Sequence, residues 1–288
     1  MNRLALGTVQ FGLPYGVANS QGRVDFNEIK EILNYVQLSG VDTLDTAMSY
    51  GDSEEILGEV GVNSFRIISK LPSIPKNISN ISDWIEYSVY NSLRRLKIKK
   101  LYGLLLHAPS QLLKPEGEEI FSVITNLKEQ GLIDKLGISI YSPDELDDLC
   151  LKFSFDLVQS PLNILDRRLE QSGWLSKLKG MGVEVHARSV FLQGLLLMNS
   201  SERPDCFKYW QPLWNQWEMW LDKHKITSLQ ACLGFVFSRN EIDRILVGVD
   251  SLRQIQEIIS ISVDDNFYPQ DLYCNDINLI NPCNWQSL

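Results

Sequence analysis

The sequence predicts a (β/α)8 barrel. Eight short apolar runs, rich in branched side chains, alternate with longer amphipathic segments along the whole chain. No Pro-, Gly- or Ser-rich linker interrupts this alternation, although 288 residues would suit one large domain or two ordinary ones. Strands that are apolar on both faces are typical of a buried parallel sheet, and eight strand-then-helix units are typical of a barrel.

The predicted strands are bounded by turn residues and are five to seven residues long, which is typical of buried strands. They are residues 3–7, 41–45, 65–70, 101–107, 135–139, 155–159, 183–188 and 244–248. The predicted helices follow them one by one, at 26–38, 53–60, 81–96, 116–130, 143–151, 169–180, 206–224 and 251–260, with a further helix at 227–238 before the last strand. Several open with Ser or Asp at the N-cap, as in SPDEL (142–146).

A doubly wound open sheet also alternates strands and helices, and it is the structural alternative. Its dinucleotide fingerprint, GxGxxG, does not follow the first strand, and no GxxxxGK[ST] phosphate loop occurs in the sequence. The barrel is therefore preferred. We expect one domain over residues 1–288, with 262–288 as an irregular C-terminal tail.

Composition excludes several classes of function. The net charge of -9 argues against a nucleic-acid or anionic-lipid surface. The five cysteines are scattered without a CxxC pair, which predicts neither a disulfide framework nor a metal site. No apolar run is long enough for a signal peptide or a membrane span, so we expect a cytoplasmic protein that binds no membrane.

Four ionisable residues are predicted to meet at one rim of the barrel. Asp45, Lys70 and His107 close the second, third and fourth strands, and Tyr50 follows in the loop after the second. Each alone has an ordinary structural interpretation: a helix cap, a solvated charge, a core histidine or a turn aromatic. Together they favour function, because a polar cluster in a barrel mouth costs desolvation free energy unless its members pair.

Their chemistry is that of a proton donor beside a polarised carbonyl. Asp45 is expected to pair with Lys70, whose ammonium would stabilise the phenolate form of Tyr50 and make its hydroxyl a proton donor. His107 would hydrogen-bond the substrate oxygen. The sequence has no GxSxG nucleophile and no metal cluster, so the nucleophile is expected to be a hydride from a nicotinamide cofactor.

At these residues the sequence resembles the aldo-keto reductase family, over nearly the whole chain. The matching stretches are LALGTVQFG (4–12), LDTAMSYGDSEEILGE (44–59), SKLP (69–72) and LLLHAPS (104–110). The resemblance implies that Tyr50 is the general acid, tuned by Lys70 and Asp45, and that His107 orients the substrate. It also implies a small carbonyl or alcohol substrate, possibly sugar-like, and a monomer.

The resemblance extends to the cofactor contacts. It implies that Ser139 and Gln159 hold the nicotinamide carboxamide, and that the segment RSVFLQGLL (188–196) straps the pyrophosphate while LVGVDSLRQIQE (246–257) binds the adenosine end. The implied cofactor-binding residues are Gly7, Thr8, Asp45, Ser139, Gln159, Arg188, Ser189, Phe191, Gln193, Gly194, Gly248, Ser251, Arg253, Gln254 and Glu257. The start of the helix near Ser251 would suit a phosphate.

Several of these positions depart from the family pattern. Arg188 stands where many members have a tyrosine that stacks on the nicotinamide, although a guanidinium can also stack. Ile140 and Ile258 replace asparagines. Gly248 and Gln254 replace the Lys and Arg that grip the 2′-phosphate of NADP in some members. Arg253 is a candidate substitute, with a solvated helix charge as the alternative, whereas Asp250 would repel that phosphate if it pointed inward. NADP(H) is favoured, and NAD(H) stays open.

Two further segments and two further questions remain. Trp210, Trp214, Trp217 and Trp220 follow helical spacing and predict a packing face, with a pocket-lining role as the alternative. The resemblance implies that the tail closes over the substrate.

The alternative function is a cofactor-binding regulatory or scaffold module with little turnover. The direction of the reaction stays open, because the four residues serve both.

Overall fold

The computed structural model describes residues 3–262 and 267–287. Residues 1, 2, 263–266 and 288 of the predicted domain and tail lie outside the described residues. Eight parallel strands pair in chain order and β8 pairs with β1, so the sheet closes into a barrel. The strands are β1 (Leu4–Gly7), β2 (Thr43–Asp45), β3 (Arg66–Leu71), β4 (Leu101–Leu106), β5 (Ile133–Ser139), β6 (Leu157–Pro161), β7 (Glu184–Arg188) and β8 (Arg244–Gly248). The predicted (β/α)8 barrel is confirmed.

The strands divide their side chains between the barrel interior and the surrounding helices. Ile68, Leu105 and Leu157 pack on one another as a small separate apolar cluster, whereas most buried apolar residues belong to one large cluster between strands and helices. Side chains alternate along a strand, so Lys70 lies on the same face as Ile68, two residues further along β3. The interior cluster thus supports a polar layer above it.

The helices lie between successive strands, as the predicted alternation requires. They are α1 (Val9–Gly12), α2 (Phe26–Leu38), α3 (Ser53–Val60), α4 (Ile81–Leu96), α5 (Gly117–Glu129), α6 (Glu145–Lys152), α7 (Arg168–Gln171), α8 (Trp174–Gly180), α9 (Gln211–His224), α10 (Ser228–Phe237), α11 (Leu252–Ser260) and α12 (Ile277–Ile280). Short 3₁₀ segments cover Pro109–Leu113, Leu195–Leu197, Asp205–Trp210 and Pro282–Ser287.

Three predicted helices differ in detail. Residues 169–180 form two helices, because Gly173 between them has a φ of 78°. Residues 206–224 begin as the 3₁₀ segment Asp205–Trp210, and the α-helix starts at Gln211 with proline in its first turn. Asp144 stands at the N-cap of α6 but makes no capping bond; the Glu145 carboxylate instead accepts from the N–H groups of Tyr141 and Ser142.

The tryptophan-rich helix is mainly a packing element, as predicted. Trp214 and Trp217 are buried, and their indole N–H groups donate to the carbonyls of Phe207 and Leu196. The Trp210 indole donates to Asp276 in the tail. The tail is less irregular than predicted, since it contains α12 and the last 3₁₀ segment.

The N-terminal end of the barrel carries its own polar cluster around Glu184. This carboxylate accepts from the Tyr102 hydroxyl at 2.7 Å and from Lys135, and it bonds to His186 at 2.6 Å. Residues at this end of such a barrel serve stability, whereas chemistry is located at the opposite, C-terminal end. In the part of the chain that the structure describes, no helix is long and apolar enough to cross a membrane.

Candidate active site

The four residues predicted to be catalytic come together at the C-terminal end of the barrel. Asp45 is the last residue of β2, Lys70 is one residue before the end of β3, and His107 follows β4 directly. The Lys70 ammonium donates to Asp45 Oδ1 at 2.5 Å, to the Thr46 carbonyl at 2.9 Å and to the Tyr50 hydroxyl at 3.3 Å. These three bonds use all three N–H donors of the ammonium.

The aromatic rings of Tyr50 and His107 close one side of this cluster. Their centroids are 5.9 Å apart, with the ring planes at 74°. The Lys70 ammonium also lies 4.8 Å from the Tyr50 ring centroid. His107 Nδ1 is 3.4 Å from the Ser49 hydroxyl. The Tyr50 and His107 rings therefore lie against each other at the barrel mouth, with Lys70 beside Tyr50.

Burial and neighbouring charge set the ionisation of two members. Burial acts to lower the pKa of Lys70, but the Asp45 carboxylate and Tyr50 beside it raise it, and the net pKa lies above its ordinary value. Lys70 is thus held as an ammonium. Burial lowers the pKa of His107 to about 4, and the positive charge of Lys70 acts in the same direction. His107 is therefore a neutral imidazole near pH 7.

Gly12 fixes the position of the Tyr50 loop, and it was not among the predicted site residues. A β-carbon on Gly12 would lie 1.8 Å from the Tyr50 carbonyl oxygen, so a larger residue would displace the loop. The Tyr50 carbonyl also accepts from the Ser53 N–H at the start of α3. Ser53 donates through its hydroxyl to Thr8, which in turn donates to the Asp45 carbonyl. The available signal was the glycine at the end of LALGTVQFG.

Glu54 is a second positioning residue, and it was not among the site residues predicted from the sequence. Its buried carboxylate accepts from the hydroxyls of Ser69 and Ser92, each at 2.6 Å, and from Arg95 Nε at 2.8 Å. These bonds fasten α3, which begins three residues after Tyr50, to β3 beside Lys70. A glutamate four residues after the tyrosine was the only sequence signal for it.

A second polar layer adjoins the four candidate catalytic residues, Asp45, Tyr50, Lys70 and His107. Gln159 on β6 donates to Asp45 Oδ2 at 2.8 Å, so the carboxylate is held on both oxygens. The Ser139 hydroxyl, at the end of β5, lies 3.4 Å from Gln159 Oε1. Both side chains are buried. The two residues predicted to bind a carboxamide therefore lie in the same buried polar layer as Asp45 and Lys70.

Comparison with known proteins decides the family. The model of the Aldo/keto reductase family matches residues 3–271. The chain belongs to the aldo-keto reductase family. Members of this family are oxidoreductases that act on small carbonyl or alcohol substrates with nicotinamide cofactors.

Three relatives have low sequence identity to this chain but match most of its length. Oxidoreductase sirO of Leptosphaeria maculans is 25% identical over 291 residues, covering 88% of this chain and 86% of that protein. The NADH-specific methylglyoxal reductase of Escherichia coli is 23% identical over 306 residues, covering 90% and 89%. An aldo-keto reductase of Bacillus halodurans, solved in its holo form, superposes with a TM-score of 0.72 at 17% identity, covering 93% and 94%, and shares the fold.

Within this aldo-keto reductase, Arg188 lies across the barrel mouth. It ends β7, yet its guanidinium donates to the carbonyl of Ile140 after β5 at 2.8 Å, and so it spans the end of β6. It also donates to the Ser189 hydroxyl at 3.1 Å and lies 4.6 Å from the Tyr141 ring centroid. Its buried Nε has no partner among the described residues.

The loop after β7 has an unusual backbone. Ser189, Leu192 and Gln193 have φ values of 57°, 49° and 54°, and Gly194 has 87°. Non-glycine residues rarely occupy this region, and such strain tends to occur at ligand sites. The Gln193 side chain donates to the Tyr15 hydroxyl, so the loop contacts the segment after β1. Phe191 is buried beneath the loop.

Two carboxylates lie at the segment predicted to bind adenosine. Gly248 on β8 pairs with Gly7 on β1, as expected for neighbouring strand ends. At the start of α11, the Leu252 N–H donates to the Glu28 carboxylate at 2.6 Å. Asp250 accepts from the Asn19 amide at 3.0 Å. The helix start that was expected to suit a phosphate is therefore already paired with a carboxylate.

The remaining predicted adenosine contacts are more exposed. Ser251 caps α11 by accepting from the Gln254 N–H at 3.4 Å, while the Gln254 side chain accepts from the Asp250 N–H. Arg253 and Glu257 are exposed. The structure therefore places these two side chains at the surface and not in the buried polar layer around Asp45 and Lys70.

The mouth fits a polar ligand such as a nicotinamide dinucleotide. Two buried polar atoms there, Gln10 Oε1 and Arg188 Nε, have no hydrogen-bond partner among the described residues. The Gln10 amide packs against Gly248, where a β-carbon would come within 2.7 Å of it. Buried polar atoms are usually paired in proteins, so these two atoms are available to a polar ligand at the mouth. Within the described residues, no cluster of His, Cys, Asp or Glu is arranged to hold a metal ion.

Proposed function

We propose that the protein is a nicotinamide-dependent carbonyl reductase in which Tyr50 is the general acid, and the general base in the reverse reaction. The observation that supports this most strongly is the buried Lys70 ammonium, which donates to both Asp45 and the Tyr50 hydroxyl. When bound, the reduced nicotinamide supplies a hydride to the carbonyl carbon. The carbonyl oxygen then needs one proton, which Tyr50 donates.

Lys70 and Asp45 make this proton transfer favourable. The phenolate left on Tyr50 is stabilised by the ammonium 3.3 Å away, and the ammonium is kept charged by the Asp45 carboxylate. In a site of low dielectric this interaction is much stronger than in water. General acid catalysis of this kind contributes on the order of 10²- to 10⁴-fold to a rate.

His107 orients the substrate as a neutral hydrogen-bond donor. With a pKa of about 4, its ring carries one N–H near pH 7. If the Ser49 hydroxyl donates to Nδ1, 3.4 Å away, the proton is on Nε2 and is available to the carbonyl oxygen. His107 and Tyr50 would then hold the same oxygen.

The nicotinamide carboxamide would be held by the two polar groups that the resemblance implies for it, Ser139 and Gln159, which are buried side by side. Asp45, a further predicted cofactor contact, accepts from Gln159. The strained loop from Arg188 to Gly194 suits the pyrophosphate, and the segment from Gly248 to Glu257 suits the adenosine. Gly7 and Thr8 line the end of β1 beside it.

Contacts at α11 support NAD(H) as the preferred cofactor, against the NADP(H) preference that the sequence suggested. Glu28 and Asp250 are both carboxylates at the predicted adenosine end, and carboxylates accept from ribose hydroxyls but repel a 2′-phosphate. Arg253 is exposed and offers the opposing charge only from the solvent side. One relative is named as an NADH-specific methylglyoxal reductase.

Cofactor titration followed by a carbonyl screen tests this function. Quenching of tryptophan fluorescence by NADH and NADPH gives the two Kd values, and a panel of aldehydes, ketones and sugars then tests turnover. Tyr50→Phe should abolish turnover while the cofactor still binds, and Tyr87→Phe, at an exposed helix position, is the matched control. Cofactor binding without turnover of any carbonyl would instead support the regulatory or scaffold module.

We further propose that residues 1–288 form one domain and that the tail is part of it. The Arg167 guanidinium donates to the carbonyls of Gln270 and Leu272, and the Cys274 N–H donates to Leu165. Residues 267–287 are thus fastened to the barrel near the end of β6. A cytoplasmic location, a monomer and a sugar-like substrate stay predictions.

A further inference from the structure

Arg188 is a half-buried charge, with a buried Nε, and it has no counter-ion among the described residues. Its hydrogen bonds go to neutral acceptors, the Ile140 carbonyl and the Ser189 hydroxyl, and its remaining contact is the Tyr141 ring. It forms no ion pair with any carboxylate of the described residues. Buried guanidinium groups are normally paired, because desolvation of an isolated charge is costly. The charge of Arg188 is thus available to a ligand at the mouth of the barrel.

The other ionisable groups of the site carry no net charge near pH 7. Lys70 is neutralised by Asp45 at 2.5 Å, and His107 is a neutral imidazole near pH 7. Ser139 and Gln159 are polar but uncharged. The described side chains Lys70, Asp45, His107, Ser139, Gln159 and Arg188 together thus carry one positive charge near pH 7, located on the guanidinium.

The guanidinium lies next to the groups assigned to the carboxamide. Ile140, which accepts its hydrogen bond, is the residue after Ser139, and the side chain crosses the end of β6, which carries Gln159. This step rests on the proposed function. A nicotinamide whose carboxamide was held by Ser139 and Gln159 would bind at the part of the mouth that the guanidinium crosses.

We propose that Arg188 makes the site discriminate between the two redox forms of the cofactor, binding the reduced form more tightly and favouring carbonyl reduction. The oxidised nicotinamide ring carries a positive charge, and the reduced ring carries none. A cation beside the ring repels only the oxidised form. At separations of about 5 Å in a partly buried site, this repulsion changes the ratio of dissociation constants on the order of ten-fold or more.

The test compares both redox forms in variants that keep or remove the charge. Dissociation constants for NADH, NAD⁺, NADPH and NADP⁺ are measured by fluorescence or calorimetry with the whole chain, and Arg188→Lys is compared with Arg188→Gln and Arg188→Met. The ratio of the dissociation constant for NAD⁺ to that for NADH should be at least ten-fold higher in the wild type and in Arg188→Lys than in the two neutral variants. The neutral variants should lower this ratio because they bind NAD⁺ more tightly.

Several results would overturn the proposal. Equal weakening of both redox forms would make Arg188 a pyrophosphate anchor. An unchanged ratio would also overturn it, and if the neutral variants then lost kcat/KM for 4-carboxybenzaldehyde but not for benzaldehyde, Arg188 would be a substrate-anion site. If the neutral variants do not fold, equal affinity of the wild type for NADH and NAD⁺ is itself decisive against it. Failure of the wild type to bind any of the four cofactors would refute the proposed function instead.

Discussion

The hydroxyl of Tyr50 lies 3.3 Å from the ammonium of Lys70, although the two residues are on different elements of the barrel. Lys70 is buried and donates at the same time to Asp45, which Gln159 holds from the other side. A charge with every donor used cannot turn toward solvent without losing several bonds. The phenol is therefore fixed beside a permanent positive charge.

Replacing that charge should separate catalysis from stability. We expect Lys70→Met to lower kcat by about 10²- to 10⁴-fold, because the Tyr50 phenolate loses its stabilising neighbour. It should also lower the free energy of unfolding by roughly 3–5 kcal/mol, since Asp45 is left buried and unpaired. The double variant Asp45→Asn/Lys70→Met should recover much of the stability and none of the rate. Urea unfolding and steady-state kinetics measure the two effects; recovery of the rate in the double variant would contradict the proposed role.

His107 should show an acid-shifted titration. Its folded pKa of about 4 is below the ordinary value of 6.5, so the unfolded chain takes up the proton first as the pH falls. The stability that it contributes is therefore complete above pH 6.5 and is lost as the pH falls toward 4. NMR titration of the imidazole should give a midpoint near 4, assigned by its absence in His107→Asn. Carbonyl reduction should show no loss attributable to His107 between pH 8 and pH 5, and an activity step centred at 6.5 that disappears in His107→Asn would argue against the neutral imidazole.

Gly12 should be needed for the position of Tyr50. In Gly12→Ala the new methyl group would meet the Tyr50 carbonyl at 1.8 Å, so the loop must move. We expect a loss of roughly 1–3 kcal/mol in stability and at least a ten-fold fall in kcat. Gly180→Ala is the matched control, because no atom lies within 4 Å of the added carbon and the site is helical. Equal activity of the two variants would exclude this positioning role.

The acids around α11 should set the choice between NADH and NADPH. Glu28→Gln and Asp250→Asn each remove a negative charge near the predicted 2′ position, and each should tighten NADPH binding by about ten-fold relative to NADH. Glu31→Gln, on the exposed face of the same helix as Glu28, should leave the ratio unchanged. Fluorescence titration of the two cofactors gives the ratios. A wild type that binds NADPH more tightly would restore the original NADP(H) prediction.

The sequence predicted the elements well, and its errors have local causes. All eight strands occur where alternating apolar runs predicted them, because branched residues buried on both faces leave little ambiguity. The helix over 169–180 was divided by Gly173, whose backbone adopts a conformation that a helix interior does not allow. The Trp-rich helix was predicted to start five residues too early, because the aromatic pattern continues through a 3₁₀ turn before its proline.

By itself, the sequence determined the barrel and the identity of the four candidate catalytic residues. Hydrophobic periodicity fixes strand ends, and the ends of parallel strands must meet at one rim. Only the tertiary structure decided the environment of those residues. The neutral state of His107, the unpaired charge of Arg188 and the acid at α11 depend on contacts between distant positions; Glu28 and Leu252 are 224 residues apart. Desolvation and pairing are properties of the packed chain, so periodicity along the sequence does not encode them.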